Sequence, residues 1–140
     1  MLPELMCTTT LRVRYADTDQ MGIVYYAMHL VYFEVGRTEL LRACGIPYAD
    51  LEAQGYLLPV LEAQVRYLAP IHYDDVLEIR TRYTPRYSPT LRLEYEIWRG
   101  GQLLATGYTL HVFMTARHRR PIRSPAIFWK AVRRYILHQQ

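Results

Sequence analysis

The segment from Ala27 to Cys44 constrains the fold most, because it predicts a helix that is apolar almost all round. It contains no proline, and Gly45 followed by Pro47 ends it. Its first half carries apolar side chains on every side, at Met28, Leu30, Val31, Tyr32, Phe33 and Val35. A helix with almost no polar face cannot rest on a surface, so other elements must enclose it.

A two-residue period replaces the helical one in the next part of the chain. Four strands follow, over residues 60–67, 75–83, 91–99 and 102–115. The second and third alternate apolar with charged residues, as half-buried strands do, and the fourth is apolar on both faces. Gly100 and Gly101 form a two-residue hairpin turn between the last two strands. Another strand-like run, residues 8–15, precedes the helix.

This order of elements predicts a single domain of α+β class over residues 1–140, an antiparallel sheet with one buried helix. A short second helix is expected over 48–54. After residue 126, apolar residues recur at i, i+4 spacing between arginines and a lysine. Such a basic amphipathic helix can bind membranes, but we favour a terminal helix docked on its own domain or on a second subunit.

The bulk properties indicate a globular protein from a reducing compartment. No apolar run approaches the ~20 residues that a membrane span needs, and the first residues lack the pattern of a signal peptide. Cys7 and Cys44 have no metal-ligand spacing. We therefore expect a cytoplasmic protein without a bound metal or redox cofactor.

Charge is unevenly distributed along the chain. Residues 1–96 hold nine basic and thirteen acidic groups, whereas residues 97–140 hold eight basic groups and no acid. Such asymmetry indicates an anionic partner for the C-terminal third: nucleic acid, a membrane surface or a phosphate-bearing ligand.

Two acids, Asp17 and Asp19, lie on the connection between the first strand and the long helix. A carboxylate there sits close to backbone N–H groups that the helix start leaves unpaired, and this places a base or nucleophile beside oxyanion donors. Acids at a helix start also serve as caps. From spacing alone, capping is the favoured interpretation.

The motifs of this region resemble those of a known family. They are Arg14, Asp17-Thr18-Asp19, Gly22-Ile23-Val24-Tyr25, Tyr32-Phe33-Glu34, Arg37-Thr38-Glu39 and, near the end, Arg120-Pro121-Ile122-Arg123-Ser124-Pro125. Together they resemble the 4-hydroxybenzoyl-CoA thioesterase family of hotdog-fold proteins, and most closely its acyl-CoA thioesterase branch associated with the Tol-Pal system. The resemblance implies a hotdog fold, in which a curved antiparallel sheet wraps around one long central helix.

The resemblance also implies the catalytic roles. The catalytic carboxylate falls on Asp19, as nucleophile or general base, and the oxyanion donor falls on the backbone N–H of Tyr26. Gly22 would let the loop backbone come close to the substrate. Asp17 keeps a structural role through loop or cap hydrogen bonds.

Substrate contacts are expected on both sides of this loop. Tyr25 and Tyr32 are candidates for the acyl pocket, with core packing an equal explanation. Met28 stands where many family members have a small polar residue, which opens the question of substrate class. His29 is a candidate auxiliary acid–base group, with a structural hydrogen bond the commoner role.

The coenzyme A moiety carries a pyrophosphate and a 3′-phosphate, which suit arginine. Arg86 and Ser88, in a loop between two strands, resemble the family's nucleotide-contacting turn. Arg117 is a second choice, and the other arginines of residues 119–123 are assigned to the solvated surface.

The predicted function is hydrolysis of an acyl- or aroyl-CoA thioester by a homodimer or homotetramer whose sheets pair edge to edge. One alternative is a non-catalytic acyl-CoA-binding module on the same fold. Another is a nucleic-acid or membrane binder that uses the basic C-terminal third. Dehydratase activity is less favoured, because no Asp/His pairing within one short loop follows Asp19.

Overall fold

One long helix packed on an antiparallel sheet accounts for most of the chain, as the sequence predicts. The structure, a computed structural model, describes residues 3–138. The strands are β1 Leu5–Arg12, β2 Tyr56–Leu57, β3 Val60–Tyr67, β4 Val76–Tyr83, β5 Leu91–Arg99, β6 Gln102–His111, β7 Phe113–Thr115 and β8 Pro121–Ile122. The helices are α1 Met28–Ala43, α2 Tyr48–Ala53 and α3 Ala126–His138, and a 3-10 turn spans Tyr15–Asp17.

The main sheet has five strands in the order β1-β4-β5-β6-β3, and every neighbouring pair is antiparallel. A smaller sheet has the order β2-β7-β8. The register shifts at two places, between Val60 and Glu62 in β3 and between Ile97 and Trp98 in β5. Irregularities of this kind bend a strand and increase its twist, which helps a sheet to curve around a helix.

Helix α1 lies against the main sheet through a few close contacts. The ring of Phe33 is fully buried and stacks on Tyr95 of β5, with centroids 4.3 Å apart and planes 5° apart. Gly36 faces β4 so closely that a Cβ there would overlap the side chains of Thr81 and Ile79. Burying a phenylalanine in this way stabilises the fold by about 1.5–3 kcal/mol.

The alternation read from the sequence is confirmed in β4 and β5. The buried residues are Leu77, Ile79, Thr81 and Tyr83 in β4 and Leu91, Leu93, Tyr95 and Ile97 in β5. The arginines and glutamates between them lie on the outer face of the sheet, where they form ion pairs such as Arg82 with Glu96. Each strand therefore has one apolar face toward α1 and one charged face.

The C-terminal helix docks on its own domain, one of the two arrangements that the sequence favours. In α3, Phe128, Val132 and Ile136 are buried. The ring of Phe128 lies 5.1 Å from that of Phe113 and 5.8 Å from that of Tyr83. None of the helices within residues 3–138 is long and apolar enough to cross a membrane.

The structure departs from the sequence-based expectations in three places. The first strand runs over 5–12 and not 8–15, because the chain leaves the sheet after Arg12 and enters a 3-10 turn at Tyr15. The predicted strand 102–115 is interrupted at Val112, where the chain leaves the main sheet for the smaller one. The start of α1 is only partly enclosed, since Leu30 and Val31 are 38% and 44% exposed.

Candidate active site

The loop between β1 and α1 is attached to the rest of the domain by backbone hydrogen bonds. Val24 N donates to Ile71 O at 2.7 Å, and Ile23 forms a bridge with His72. Within the loop, Asp19 N donates to Ile23 O at 2.9 Å. The loop is therefore held in one shape by residues of the segment before β4.

Asp17 is buried, with 2% of its surface exposed. Its carboxylate accepts hydrogen bonds from the backbone N–H of Arg14 at 3.2 Å, from the Arg14 guanidinium at 2.9 Å and from the hydroxyl of Tyr32 at 2.9 Å. Burial raises the pKa of Asp17, but these donors and the Arg14 charge outweigh it and lower the pKa below its ordinary value. Asp17 is thus an ionised anchor of the loop, which agrees with the structural role expected for it.

Tyr32 is the partner that the sequence did not reveal. It is buried, and its hydroxyl donates to Asp17. Burial is the larger cause that raises the pKa of Tyr32, and the hydrogen bond to Asp17 raises it further. Tyr32 lies in the core and is not among the residues that line the cavity described below.

Asp19 has different surroundings although it lies only two residues further on. It is half-buried, and its Oδ1 accepts one hydrogen bond, from Met21 N at 2.8 Å. A turn follows, in which Gly22 N donates to Asp19 O at 3.0 Å and Gly22 has a φ of +79°. That φ favours glycine, so turn geometry alone gives a reason for this residue.

Three of the predicted site residues meet at one cavity. An open cavity of about 380 Å³ is lined by Asp19, Tyr26 and His29 on one side. Its remaining walls are mostly apolar and come from Met21, Ile23, Val24, Tyr67, Leu68, Ala69, Pro70 and Ile71. Asp19 is the one carboxylic acid among the residues that line this mostly apolar cleft.

The backbone just before α1 supplies an unpaired donor at Tyr26, a residue that lines the same cavity as Asp19. Tyr25 O accepts from Met28 N at 2.9 Å, so this carbonyl points along the helix. In a trans peptide the following N–H, that of Tyr26, points the opposite way. It finds no hydrogen-bond acceptor within residues 3–138.

Tyr26 is held in place by two side chains through its own carbonyl. Tyr67 donates its hydroxyl to Tyr26 O at 2.9 Å, and His29 Nδ1 lies 3.0 Å from the same oxygen. Sequence reasoning missed Tyr67, which it placed only as the last residue of a strand. The signal was its position directly before Leu68-Ala69-Pro70, where a strand ends beside the loop.

His29 is almost fully buried, at 4% exposure, and the edge of its ring meets Tyr67 with centroids 4.6 Å apart. Burial lowers the pKa of His29 despite its hydrogen bonds to the Tyr26 and Tyr25 carbonyls. A neutral imidazole that bonds a carbonyl through Nδ1 carries its proton there, which leaves Nε2 as an acceptor.

The other predicted contacts lie outside this cavity. Tyr25 is 45% exposed and rests against the ring of Tyr26 at 4.7 Å. Met28 packs against the core, and neither it nor Gly22 is among the residues that line the cavity. Arg117 is exposed in a turn.

Arg86 and Ser88 line a separate cavity of about 410 Å³, whose other charged lining residues are Arg82, Arg92, Glu4 and Glu94. It lies beyond Tyr83, whereas Asp19 is near the other end of β4. An eight-residue strand is about 23 Å long between its end residues, so within one protomer the two cavities lie at opposite ends of the sheet.

Residues 3–138 contain no group of three or more His, Cys, Asp or Glu side chains placed to hold a metal ion. The chemistry available at the cavity is that of a carboxylate, a neutral imidazole and a backbone N–H.

Comparison with known proteins gives consistent results. The family model described as the thioesterase-like superfamily matches residues 13–132. A Bacillus subtilis protein, provisionally named an acyl-CoA thioesterase, is 48% identical over 71 residues, 51% of this chain and 51% of that protein. The match thus spans about half the length of that relative.

Two further proteins match over more of their length. The 1,4-dihydroxy-2-naphthoyl-CoA hydrolase of Thermosynechococcus vestitus is 31% identical over 123 residues, 84% of this chain and 83% of that protein. The structure of a DHNA-CoA thioesterase from Staphylococcus aureus superposes with a TM-score of 0.85 at 29% identity, covering 96% of this chain and 93% of that one. The hotdog architecture expected from the motifs is confirmed.

Proposed function

The chain belongs to the thioesterase-like superfamily, and from that premise we propose that it hydrolyses the thioester of an acyl- or aroyl-CoA to the free acid and CoA. One observation carries the proposal: Asp19, whose carboxylate is half-buried, and Tyr26, whose N–H has no acceptor within residues 3–138, both line one mostly apolar cavity. Acyl transfer requires these two elements, a base or nucleophile and an oxyanion donor.

The reaction follows from this geometry in one of two ways. As a general base, Asp19 takes a proton from a water molecule whose oxygen attacks the thioester carbon. As a nucleophile, Asp19 attacks that carbon itself and expels the thiolate, and water then hydrolyses the resulting anhydride. In both routes the carbonyl oxygen becomes an anion that accepts from Tyr26 N–H, the C–S bond breaks and the CoA sulfur leaves as a thiolate that is then protonated.

The expected rate contributions are those of general base and oxyanion catalysis. A positioned base contributes about 10²–10⁴ in rate, and one oxyanion donor about 10²–10³. Tyr67 and His29 support the donor by holding the carbonyl of Tyr26. The neutral ring of His29 also offers a hydrogen-bond acceptor for a polar acyl group.

The finer assignment, to the acyl-CoA thioesterase branch associated with the Tol-Pal system, is part of the proposal and is supported by the Asp17-Thr18-Asp19 and Tyr32-Phe33-Glu34 motifs. We expect a cytoplasmic protein, since Cys7 and Cys44 are both free thiols.

A homodimer, or a homotetramer built from two dimers, is the proposed assembly. Strand β3 forms one edge of the main sheet and is exposed on both faces, with Val60 and Leu61 45% and 57% exposed. An uncovered strand edge of this length invites pairing with another strand. Two copies of β3 related by a two-fold axis would run antiparallel and join the two sheets.

That pairing has a consequence for the substrate. When two copies of β3 pair in an antiparallel manner, the strands of the second sheet run in the opposite direction to those of the first. The loop between β4 and β5 of one protomer then lies at the same end as the Asp19 cavity of the other. Arg86 and Ser88 would then face the phosphates of a CoA whose thioester lies at Asp19. Arg82 and Arg92 of the same cavity already pair with Glu96 and Glu94.

The experiment that tests the proposed function is a screen for thiol release by the wild-type protein. It covers short-acyl-, palmitoyl- and aroyl-CoA substrates under steady-state conditions. We expect turnover of at least one class well above the uncatalysed rate. Tight binding of CoA esters without turnover of any of them would contradict hydrolysis and indicate a non-catalytic binding module.

A further inference from the structure

Cations are paired with acids in most of the chain but not in its C-terminal part. Over residues 12–99, every arginine except Arg66 and Arg86 forms an ion pair with a carboxylate. In the described part of the chain, none of the basic side chains of residues 117–134 has an acid within ion-pair distance. Residues 97–140 contain no acid, and the fold brings none from the rest of the described chain to these cations.

Three of the unpaired cations lie on α3, on the side turned away from the domain. The side that packs on the domain is formed by the buried residues Phe128, Ala131, Val132 and Ile136. On the opposite side, each exposed residue has a neighbour three or four positions away, and such residues are adjacent on a helix surface. These residues form the basic face of α3: Lys130, Arg133, Arg134 and Leu137.

The charges of the basic face do not help the helix itself. Lys130 and Arg134 are four positions apart, where two like charges destabilise a helix. The helix macrodipole favours cations within the last turn, and the basic residue of that turn is His138. An anionic partner would relieve the repulsion between these cations.

A cavity adjoins the basic face. It has a volume of about 420 Å³ and lies between α2 and α3. Its charged lining residues are Lys130, Arg134 and Asp50. The two cations outnumber the one acid, and both types of side chain are strong partners of phosphate. The cavity therefore suits a phosphate that approaches along the basic face.

Leu137 separates a lipid bilayer from other anionic partners. Its side chain is 70% exposed and lies at the C-terminal end of the basic face. Helices that bind at a membrane surface combine lysine and arginine with apolar side chains that enter the headgroup region. A nucleic-acid backbone has no comparable apolar layer for a leucine, so Leu137 favours the bilayer.

We propose that the basic face of α3 binds the surface of an anionic phospholipid bilayer. The lipid phosphates contact Lys130, Arg133 and Arg134, and Leu137 enters the headgroup region. The apolar side of α3 stays docked on its own domain, so the contact is peripheral. Docking and bilayer binding thus use opposite sides of one helix. This interaction goes beyond thioester hydrolysis and does not depend on it.

Co-sedimentation of the whole chain with vesicles tests the proposal. One set of vesicles is phosphatidylcholine alone, and the other contains phosphatidylcholine and phosphatidylglycerol in equal amounts. We expect saturable binding to the vesicles with phosphatidylglycerol and little binding to phosphatidylcholine alone. Binding should weaken as the salt concentration rises, because salt screens charges at the surface.

Variants of single cations locate the binding surface. Lys130→Gln, Arg133→Gln and Arg134→Gln should each weaken binding to the anionic vesicles about fivefold. The matched control is Arg66→Gln, since Arg66 is an exposed arginine of β3 and has no ion pair in the described residues. It removes the same charge from another part of the surface and should leave the affinity unchanged.

The variant Leu137→Ala tests the apolar part of the contact. It should weaken binding about fivefold, and this loss should persist at high salt, where the losses caused by the charge variants shrink. Thermal melting should show every variant of α3 to be at least as stable as the wild type, because the changed side chains are exposed and unpaired.

Four outcomes would overturn the proposal. Two of them are equal binding to the two kinds of vesicle and equal effects of Arg134→Gln and Arg66→Gln. The third is tighter binding of a single-stranded oligonucleotide than of the anionic vesicles, which would indicate a nucleic-acid surface. The fourth is release from the vesicles by inorganic phosphate at an ionic strength where sodium chloride has no effect, which would indicate a site for a free anion.

Discussion

Asp17 and Asp19 lie two residues apart on the same loop, yet their carboxylates have opposite surroundings. Asp17 is 2% exposed and accepts from three donors, two on Arg14 and one on Tyr32. Asp19 is half-buried, accepts from one donor, Met21 N, and borders the cavity with Tyr26.

This difference shows how the two acids of the Asp17-Thr18-Asp19 motif take separate roles, one in holding the loop and one in the proposed chemistry. The carboxylate oxygens of Asp17 accept the hydrogen bonds from Arg14 and Tyr32 that hold the loop. A reaction at this carboxylate would break those bonds. The Asp19 carboxylate accepts one hydrogen bond, from Met21 N, so lone pairs stay available for chemistry, and Asp19 lines the same cavity as Tyr26. Burial and hydrogen-bond partners, rather than residue type, thus separate the anchor from the proposed catalyst.

The largest expected effect comes from Asp19→Ala. We expect kcat for thioester hydrolysis to fall about 10²–10⁴-fold, because the base or nucleophile is lost. The melting temperature should stay close to that of the wild type, since only one exposed hydrogen bond disappears. Thiol release and thermal melting measure the two quantities. Asp50→Ala, at an exposed acid in α2, is the control, and a fall in kcat as large for this variant would contradict the assignment.

The variant Asp17→Ala should act on stability. Removing the carboxylate leaves the buried hydroxyl of Tyr32 without its acceptor and frees the Arg14 backbone N–H. The expected loss is about 1–3 kcal/mol in the free energy of unfolding, measured by urea denaturation. An unchanged midpoint and slope would show that the anchor is not needed.

A smaller effect is expected for Tyr32→Phe. This change removes the phenol that donates to Asp17 and keeps the ring that packs in the core. The expected loss is about 0.5–1.5 kcal/mol in the free energy of unfolding. Tyr15→Phe serves as the control, because Tyr15 is 76% exposed. Equal denaturation midpoints for the two variants would rule out a stabilising bond between Tyr32 and Asp17.

The pH dependence of stability gives the finest test of the comparison. The pKa of folded Asp17 lies below its ordinary value of 3.8, so its contribution is present above that pH and is lost as the pH falls toward the folded value. The stability difference between wild type and Asp17→Asn should therefore narrow below pH 3.8. A difference that stays constant in acid would contradict an ionised anchor.

Much of the fold could be predicted because its signals are local. The helical period of α1 and the alternation of β4 and β5 lie within single segments, and their ends carry glycine or proline punctuation. The interruption at Val112 could not be predicted, because no glycine or proline marks it and Phe113 and Met114 continue the apolar character of the strand. Two pairings at the site were also hidden. Tyr32 meets Asp17 from 15 residues away, and Tyr67 meets Tyr26 from 41 residues away.

The residues proposed for the chemistry could therefore be predicted from the sequence. The side chains that hold them in place could not. The motif match placed the roles on Asp19 and Tyr26, and the strand–helix order placed both at a helix start. The division between Asp17 and Asp19 depends on the phenol of Tyr32. The contact between the rings of Tyr87 and Trp129 could not be predicted either, because the rings come together only when α3 packs beside the β4–β5 loop.

The most direct test of this division is the ratio of kcat values for Asp17→Asn and Asp19→Asn. Both are measured on the same acyl-CoA substrate at a temperature where melting curves show that both proteins are folded. The account predicts that Asp17→Asn retains activity close to the wild type and exceeds Asp19→Asn by about 100-fold or more. A ratio near one, or an active Asp19→Asn, would contradict it.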